Sequence, residues 1–466
     1  MRIVSVIFGI LLMAGTAWGD THTVADCNGS ADNLKFATAI TASSNGDIVS
    51  VPAGTCTFTG SVTVNKEITI QGAGIDVTTI NVSSGSAFSI TNATNNWRIT
   101  GFTINAPSVN YTGGYAFTGG TSKTGGFTGI RIDHNKITGF HYSFYLMGET
   151  IGVIYENTIV GMLWFEGHDH QWTEDTNLGQ SDGWLFIEGN TFMSQDGIGN
   201  GHAITWKFGG RGVVRFNTVD DAAVSDNYRD PDPFDTHGNC HGGRGARAFE
   251  FYNNRFYRYG SETQVCCRAL QLRGGTGVIY NNYWDTVVNK QYLWSWTWDD
   301  VSQPSEIYFY DQRLLGAGGT PPCPTDSGTV GAYCDPTSGG EGYPCWDQIG
   351  RGNAQALEPV YIWNNTRLFD AGASYGNYAV SPKVEAHETS YITEDRDYYV
   401  SATKPAAMSD YSAYTCPHPT TGYTGSCNSS VAGVAGYNVE GGDTTPIPII
   451  LAPSEHGGFG GGFINH

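Results

Sequence analysis

The feature that most restricts how this chain can fold is a recurring pattern, apolar-x-x-Asn-x-apolar. It reads IDHNKI at 132–137, IYENTI at 154–159, IEGNTF at 187–192, VRFNTV at 214–219, FYNNRF at 251–256 and IYNNYW at 279–284. A looser copy, IWNNTR, starts at Ile362, and an earlier one, ITGFTI at 99–104, carries Phe102 in place of the asparagine. From Asn135 to Asn282 the aligned asparagines stand 22, 33, 27, 37 and 28 residues apart. Such scatter is wrong for a propeller or a leucine-rich array. It suits a coil of short strands, in which each turn adds one strand per face and insertions leave through the corners. An asparagine at one corner of every coil has a physical use, since its amide both donates and accepts along a stack and Asn tolerates left-handed backbone. The pattern makes Asn254, with Phe251 and Phe256, part of a scaffold.

Composition agrees. With 63 glycines, 13% aromatic and 15% charged residues, and few segments of helical period, the chain reads as all-β with many turns. The exception is ADNLKFATAITAS at 31–43, where Leu34, Phe36, Ala37 and Ile40 recur at helical spacing. A coil of strands has an open edge at its end, and this helix is expected to cover it. The first strands and turns follow at 45–74.

Arg2, the apolar run Ile3–Met13 and the small residues of Ala17-Trp18-Gly19 predict an export signal cut after Gly19. No later run reaches the roughly 18 apolar residues of a membrane span, so a secreted protein, periplasmic or extracellular, is expected. Ten cysteines fit an oxidising compartment. Cys27 is expected to pair with Cys56, and Cys416 with Cys427. The connectivity of Cys240, Cys266, Cys267, Cys323, Cys334 and Cys345 stays open. A net charge of −20 argues against nucleic-acid binding.

The helix, GDIVSVPAGT, ITIQGAG and the run of asparagines together resemble the right-handed parallel β-helix proteins of the pectate lyase superfamily, over roughly residues 25 to 370. The resemblance implies a solenoid with an N-terminal helical cap at 20–66, a coil at 67–370 with a long insertion at about 301–352, and an irregular C-terminal cover and tail at 371–466. Members of that superfamily include lyases, hydrolases, tailspikes and adhesins, so fold alone does not name the activity. The resemblance favours a polysaccharide lyase acting on uronate linkages by β-elimination, with an acidic polysaccharide as partner and calcium as a candidate cofactor. A monomer is expected.

The charge distribution points to one stretch. Lys207, Arg211, Arg215, Arg229, Arg244, Arg247, Arg255, Arg258, Arg268 and Arg273 crowd between His202 and Arg273, a basic island on an acidic chain. Elimination needs a neutralised carboxylate and a base for the C5 proton. Arg244 and Arg247 precede Asn253-Asn254 much as an arginine strand precedes Asn-Asn in pectate lyases, although the proline and histidine usual there are missing and Glu250 stands about where the histidine is expected. A guanidinium is a demanding base, whereas histidine tunes easily near neutrality. His237 is therefore read as the base, Arg244 and Arg247 as neutralisers, and Asp235 as an orienter or calcium ligand. The bland alternative has His237 and Asp235 capping a loop and the arginines paired with Asp230 and Asp232. Lys207, Arg268, Trp294 and Trp296 are read as substrate-binding, the last two from YLWSWTW, which sets Tyr292, Trp294, Trp296 and Trp298 on one strand face. IRIDHNKI, with Asp133 and His134, is similar to an Ile-Asp-His motif of pectate lyases. His168 and His170 are a weaker metal site. Two other readings remain: a non-catalytic adhesin-like binder, and an inverting polygalacturonase-like hydrolase using Asp220 and Asp221.

Overall fold

The computed structural model describes residues 19–421 apart from 92–93, 122–124, 168–171, 194–202, 221–233, 237–244, 258–269, 286–306, 310–347, 354–355, 371–374, 380–381, 385–391 and 417. Short β-rich segments between polar corners pair with the segment one coil earlier and one coil later. Tyr142–Met147, Glu149–Tyr155 and Thr158–Val160, for example, belong to three different sheets, and Met162–Glu166 returns to the first of them. Among the described residues this gives sheets of ten, twelve and eleven strands. Their strands pair in parallel except for the hairpin of Thr366–Asp370 with Tyr375–Ala379. The fold is a parallel β-helix. The coil continues past residue 370, because Lys383–Val384 extends the ten-stranded sheet and Tyr398–Ser401 the twelve-stranded one.

Inside, alternate residues of each strand point to a common core. Phe88, Phe117, Phe144 and Phe165 of successive coils stack along the axis with ring centroids 5.7, 4.9 and 6.5 Å apart, and Trp206 and Phe234 continue the row at 5.1 Å. The asparagine corner is a ladder. Asn135, Asn157, Asn190, Asn217, Asn254, Asn282 and Asn365 are all buried, and from Asn135 to Asn282 each Nδ2 donates to the Oδ1 of the next at 2.9–3.1 Å. The ladder begins where the pattern fails. Phe102 offers its backbone N–H to Asn135 Oδ1 at 3.1 Å and has no amide to extend the stack.

One detail differs from expectation. Left-handed backbone belongs to the residue before each ladder asparagine: His134, Glu156, Gly189, Phe216, Asn253, Asn281 and Asn364 have φ between 50 and 67°. The ladder residue serves the stack with its amide, and the corner is turned one position earlier.

The helix Asn33–Ala42 covers the first coil as expected, packing on Thr21–Thr23, Ile48–Ser50, Gly54–Phe58 and Val62–Val64. Its buried face is Asn33, Phe36, Ala39 and Ile40; Leu34 is 64% exposed and Ala37 also faces out. The face is rotated because Asn33 is held by the first coil, accepting the Thr59 N–H at 3.2 Å, so burial follows the 33–36–40 stripe. Lys66 caps the last turn, donating to the carbonyls of Ile40 and Thr41 at 2.8 Å. A disulfide joins Cys27 to Cys56, as expected, and is compatible with an oxidising compartment. Cys416 is also disulfide-bonded, and Cys427 lies outside the described residues. Among the described residues no helix is long and apolar enough to cross a membrane.

Candidate functional site

The three outer faces differ in what they leave accessible. On the twelve-stranded sheet a second apolar layer of Val153, Phe186, Val213, Tyr252, Val278, Tyr280 and Trp363 is covered by Met408 and Tyr411 of the C-terminal segment. Polar groups pin that cover. Arg215 donates to the Tyr414 and Thr415 carbonyls at 2.8 and 3.1 Å while paired with Glu188, and Tyr411 Oη donates to Glu250 Oε2 at 2.8 Å. Asp133 and His134 belong to this same sheet and corner. Arg98 clamps Asp133 through Nε at 2.7 Å, with Thr100 at 2.8 Å and His134 Nδ1 at 2.9 Å. Burial works to raise Asp133, but Arg98, His134 and Thr100 hold it at about 2. This is a structural ion cluster on a different face from the basic island's lysine.

The ten-stranded sheet carries the polar row suited to chemistry. Register aligns Tyr145, Trp164, Thr205, Asp235 and Gln271 along its outer face. One step further along the strands, Lys207 pairs with Glu166, and Arg273 follows the strand Leu270–Leu272. Asp235 is fully buried, and Arg273 Nε lies 3.1 Å from its Oδ1. The backbone N–H of Arg273 donates to Thr236 Oγ1 at 2.9 Å, which fixes where the guanidinium starts. Thr205 and Gln271 flank Asp235 in register, and among the described residues the buried Thr205 Oγ1 and Gln271 Oε1 find no hydrogen-bond partner. Buried oxygens of that kind want a donor from water or a ligand. Lys207 Nζ sits 5.7 Å from the Trp164 ring and 4.6 Å from that of Phe208, and Trp164 Nε1 donates to Glu166 Oε1 at 3.1 Å. The arrangement sets cations and hydrogen-bonding groups on a face whose other side is solid core.

Calcium takes about six to eight oxygens, usually with several carboxylates. Among the described residues the row at Asp235 offers one carboxylate, with neutral Thr205 and Gln271 beside it and Arg273 already on Oδ1. That donor set suits a guanidinium and does not fit a divalent cation. Among the described residues no cluster of three or more His, Cys, Asp or Glu could hold a metal.

Of the residues singled out in the sequence, Lys207 and Asp235 come together on this face. Arg247 is buried elsewhere, in the turn before Ala248–Tyr252, with Glu358 Oε2 at 2.8 Å from Nη1 and the Trp172 ring 5.4 Å away. Asp220 ends a strand of the eleven-stranded sheet, a different face from Lys207 and Asp235. His237, Arg244, Arg268, Trp294, Trp296, Tyr292, Trp298, Asp221, His168 and His170 lie outside the described residues, as do Asp230 and Asp232. Other charges of the basic island are taken by carboxylates: Arg211 pairs with Glu149 and Glu174, and Arg215 with Glu188. Sequence reasoning missed Glu166, Thr205, Gln271, Tyr145 and Trp164, and counted Arg273 without giving it a role. Aligning FYLM, LWFE, ITWK, FDT and LQLR as one strand family would have exposed the row.

No protein-family model matches the chain, and no curated protein matches it significantly. Among solved structures the chain is similar to an alginate lyase from Paenibacillus, with 13% identity, 82% of this chain and 94% of that one covered, and a TM-score of 0.41. It is also similar to the A-module of a mannuronan C-5 epimerase from Azotobacter vinelandii, with 12% identity, 82% and 100% covered, and a TM-score of 0.42. A PL6-family alginate lyase overlaps at 11% identity, 86% and 57% covered, and a TM-score of 0.32. The reading of the site rests on this chain's own residues.

Proposed function

We propose that the protein is an exported polysaccharide lyase that cleaves an acidic polysaccharide by β-elimination on the outer face of its ten-stranded sheet. The observation that carries the reading is the Arg273–Asp235 pair in register with Lys207's strand, flanked by buried oxygens that find no partner among the described residues. Arg273 is the group that neutralises the uronate carboxylate, and Asp235 is its positioning residue. His237, next in the chain after Thr236, is the proposed base, with Arg244 as a second neutraliser and Arg268 in substrate binding. The base takes the C5 proton, the freed electron pair forms the C4–C5 double bond, the C4–O bond breaks, and the Lys207 ammonium protonates the departing oxygen. Carboxylate neutralisation matters because it stabilises the charge that develops on the way to the carbanion. Arg247 is already paired with Glu358, so this reading leaves the uronate carboxylate to Arg273 and Arg244.

The test is incubation with polymannuronate, polyguluronate and polygalacturonate, with and without added calcium, while following the ultraviolet absorbance of the unsaturated uronate. Turnover is expected on at least one polymer without calcium. His237→Ala and Lys207→Ala should each abolish it with little change in affinity, since acid and base act mainly in the transition state. Cleavage products lacking the unsaturated ring would exclude elimination and turn attention to Asp220 and Asp221, and binding without any turnover would favour the adhesin-like alternative.

A further inference from the structure

The ten-stranded sheet carries a second feature that elimination chemistry does not need. Tyr115, Tyr142, Tyr145 and Trp164 gather on its outer face, each partly exposed, on coils whose inward positions are already filled by Phe117, Phe144 and Phe165. An aromatic cluster on the solvent side of a completed core is not explained by folding. It also leads into the polar row, because Tyr145 pairs with Trp164 and Trp164 with Thr205.

The ring geometry decides how the cluster can meet a ligand. Tyr115 and Tyr145 have centroids 5.0 Å apart and planes within 17° of parallel. Two six-membered rings so close cannot lie side by side, so their faces are turned to each other. Trp164 continues the series at 6.4 Å and 21°, while Tyr142 stands across it, 66° from Tyr145 and 87° from Trp164. The faces that a neutral sugar would stack on are largely taken by the neighbouring rings. What remains outward is ring edge, the positive rim of the aromatic quadrupole, together with the phenol hydroxyls. Among the described residues no hydrogen bond engages any of the three tyrosine hydroxyls, and all three side chains stay partly exposed. Burial raises all three phenols, and burial with Glu166 takes Tyr145 to about 12, so they are donors throughout the neutral range.

We propose that this edge-on row is a subsite run that holds an acidic polysaccharide chain by phenol O–H donation and ring-edge attraction to its carboxylates and hydroxyls, feeding it toward Lys207. The inference rests on the reading of this sheet as the uronate-binding face and adds to it the subsites beyond the reacting sugar. Adjacent coils lie about 4.8 Å apart, close to the length of one 1,4-linked pyranose unit, so successive rows can address successive sugars.

The discriminating substitution removes hydroxyls and keeps rings. In the Tyr115→Phe/Tyr145→Phe double variant the core is untouched and the thermal midpoint should not move. Calorimetric affinity for long polyuronate should fall about tenfold, with a much smaller loss for a trimer. A face-stacking platform predicts no loss, because phenylalanine stacks as well as tyrosine. If the wild type binds and cleaves polyuronate and the double variant binds it equally well, the row is overturned and the lyase reading stands. If the wild type binds without cleaving and the double variant binds more weakly, the row stands and the lyase reading falls. If the wild type binds no polyuronate at all, both fall.

Discussion

Asn254 and its neighbour Asn253 are the same residue type doing different work. Asn254 Nδ2 donates to Asn282 Oδ1 and to the carbonyls of Val214 and Tyr252, and its Oδ1 accepts both the backbone and the side-chain N–H of Asn217. Replacing it with alanine takes the acceptor from two buried N–H groups of Asn217, while Asn282 Oδ1 keeps the backbone N–H of residue 254, at a cost of about 3 kcal/mol. Asn253 only turns the corner, at φ 55°, and glycine holds that conformation without strain. Chemical denaturation should therefore show Asn254→Ala strongly destabilised and Asn253→Gly near wild type; the reverse order would show that the amide stack contributes little. The ladder was legible in the sequence because one residue type performs one task in every coil. The assignment of left-handed backbone to the same asparagine was not, since the corner residue changes from His134 to Glu156 to Phe216 and leaves no pattern.

Among the elements, the C-terminal cover at residues 405–421 is the one whose attachment depends on protonation. His418 packs its ring on Phe186 at 4.5 Å, accepts the Thr420 N–H at Nδ1 and donates its own backbone N–H to Glu188. Burial, reinforced by Arg215, lowers its pKa from 6.5 to about 4. The folded state thus prefers the neutral ring, and as pH falls from 6.5 to 4 the unfolded state takes up the proton first. About 3 kcal/mol of stability should be lost across that window. Glu250 has the opposite sign. Burial raises its carboxyl above the ordinary value despite hydrogen bonds from Gly179, Ser181 and Tyr411, so its contribution fades as pH rises from about 4.5. Hydrogen exchange in 405–421 should accelerate between pH 6.5 and 4, and His418→Gln should flatten that profile. A profile unchanged by the substitution would locate the acid sensitivity elsewhere. The N-terminal helix shows the matching limit of sequence reading: its existence followed from apolar spacing, but its buried face did not, because Asn33 is drawn inward by a hydrogen bond to Thr59 that no periodicity encodes.

Taken as a whole, the molecule is a one-dimensional stack in which each coil is stabilised by its neighbours, and that explains why its scaffold is more legible than its site. The corner repeats, whereas the outer row of the ten-stranded sheet draws a different residue from every coil, so no repeat marks Glu166, Thr205 or Gln271. Ion pairs compound the difficulty. Arg247 finds Glu358 across 111 residues, and a local charge count reads such an arginine as available. The same one-dimensional logic predicts how the stack comes apart. From Asn135 onward the asparagine ladder ties coil to coil, but the earlier corners are built on glycine: a Cβ on Gly72 would lie 2.3 Å from the Gly101 carbonyl oxygen, and the single amide pair there, Asn105 Nδ2 to Asn81 Oδ1 at 3.1 Å, lies on the exposed side away from that corner. Their closure depends on the helical cap. Phe36, fully buried, contacts the rings of Phe58 at 4.9 Å and of Phe88 and Phe102 at 6.4 Å, so one side chain spans the unladdered coils. Phe36→Ala should cost about 3–5 kcal/mol, and the loss should be polarised. Hydrogen exchange followed by mass spectrometry should show residues 21–105 losing protection first, with Asn135 to Asn365 still protected under the same conditions. Uniform loss of protection along the chain would mean that the β-helix unfolds as a single cooperative unit and that the ladder does not divide it.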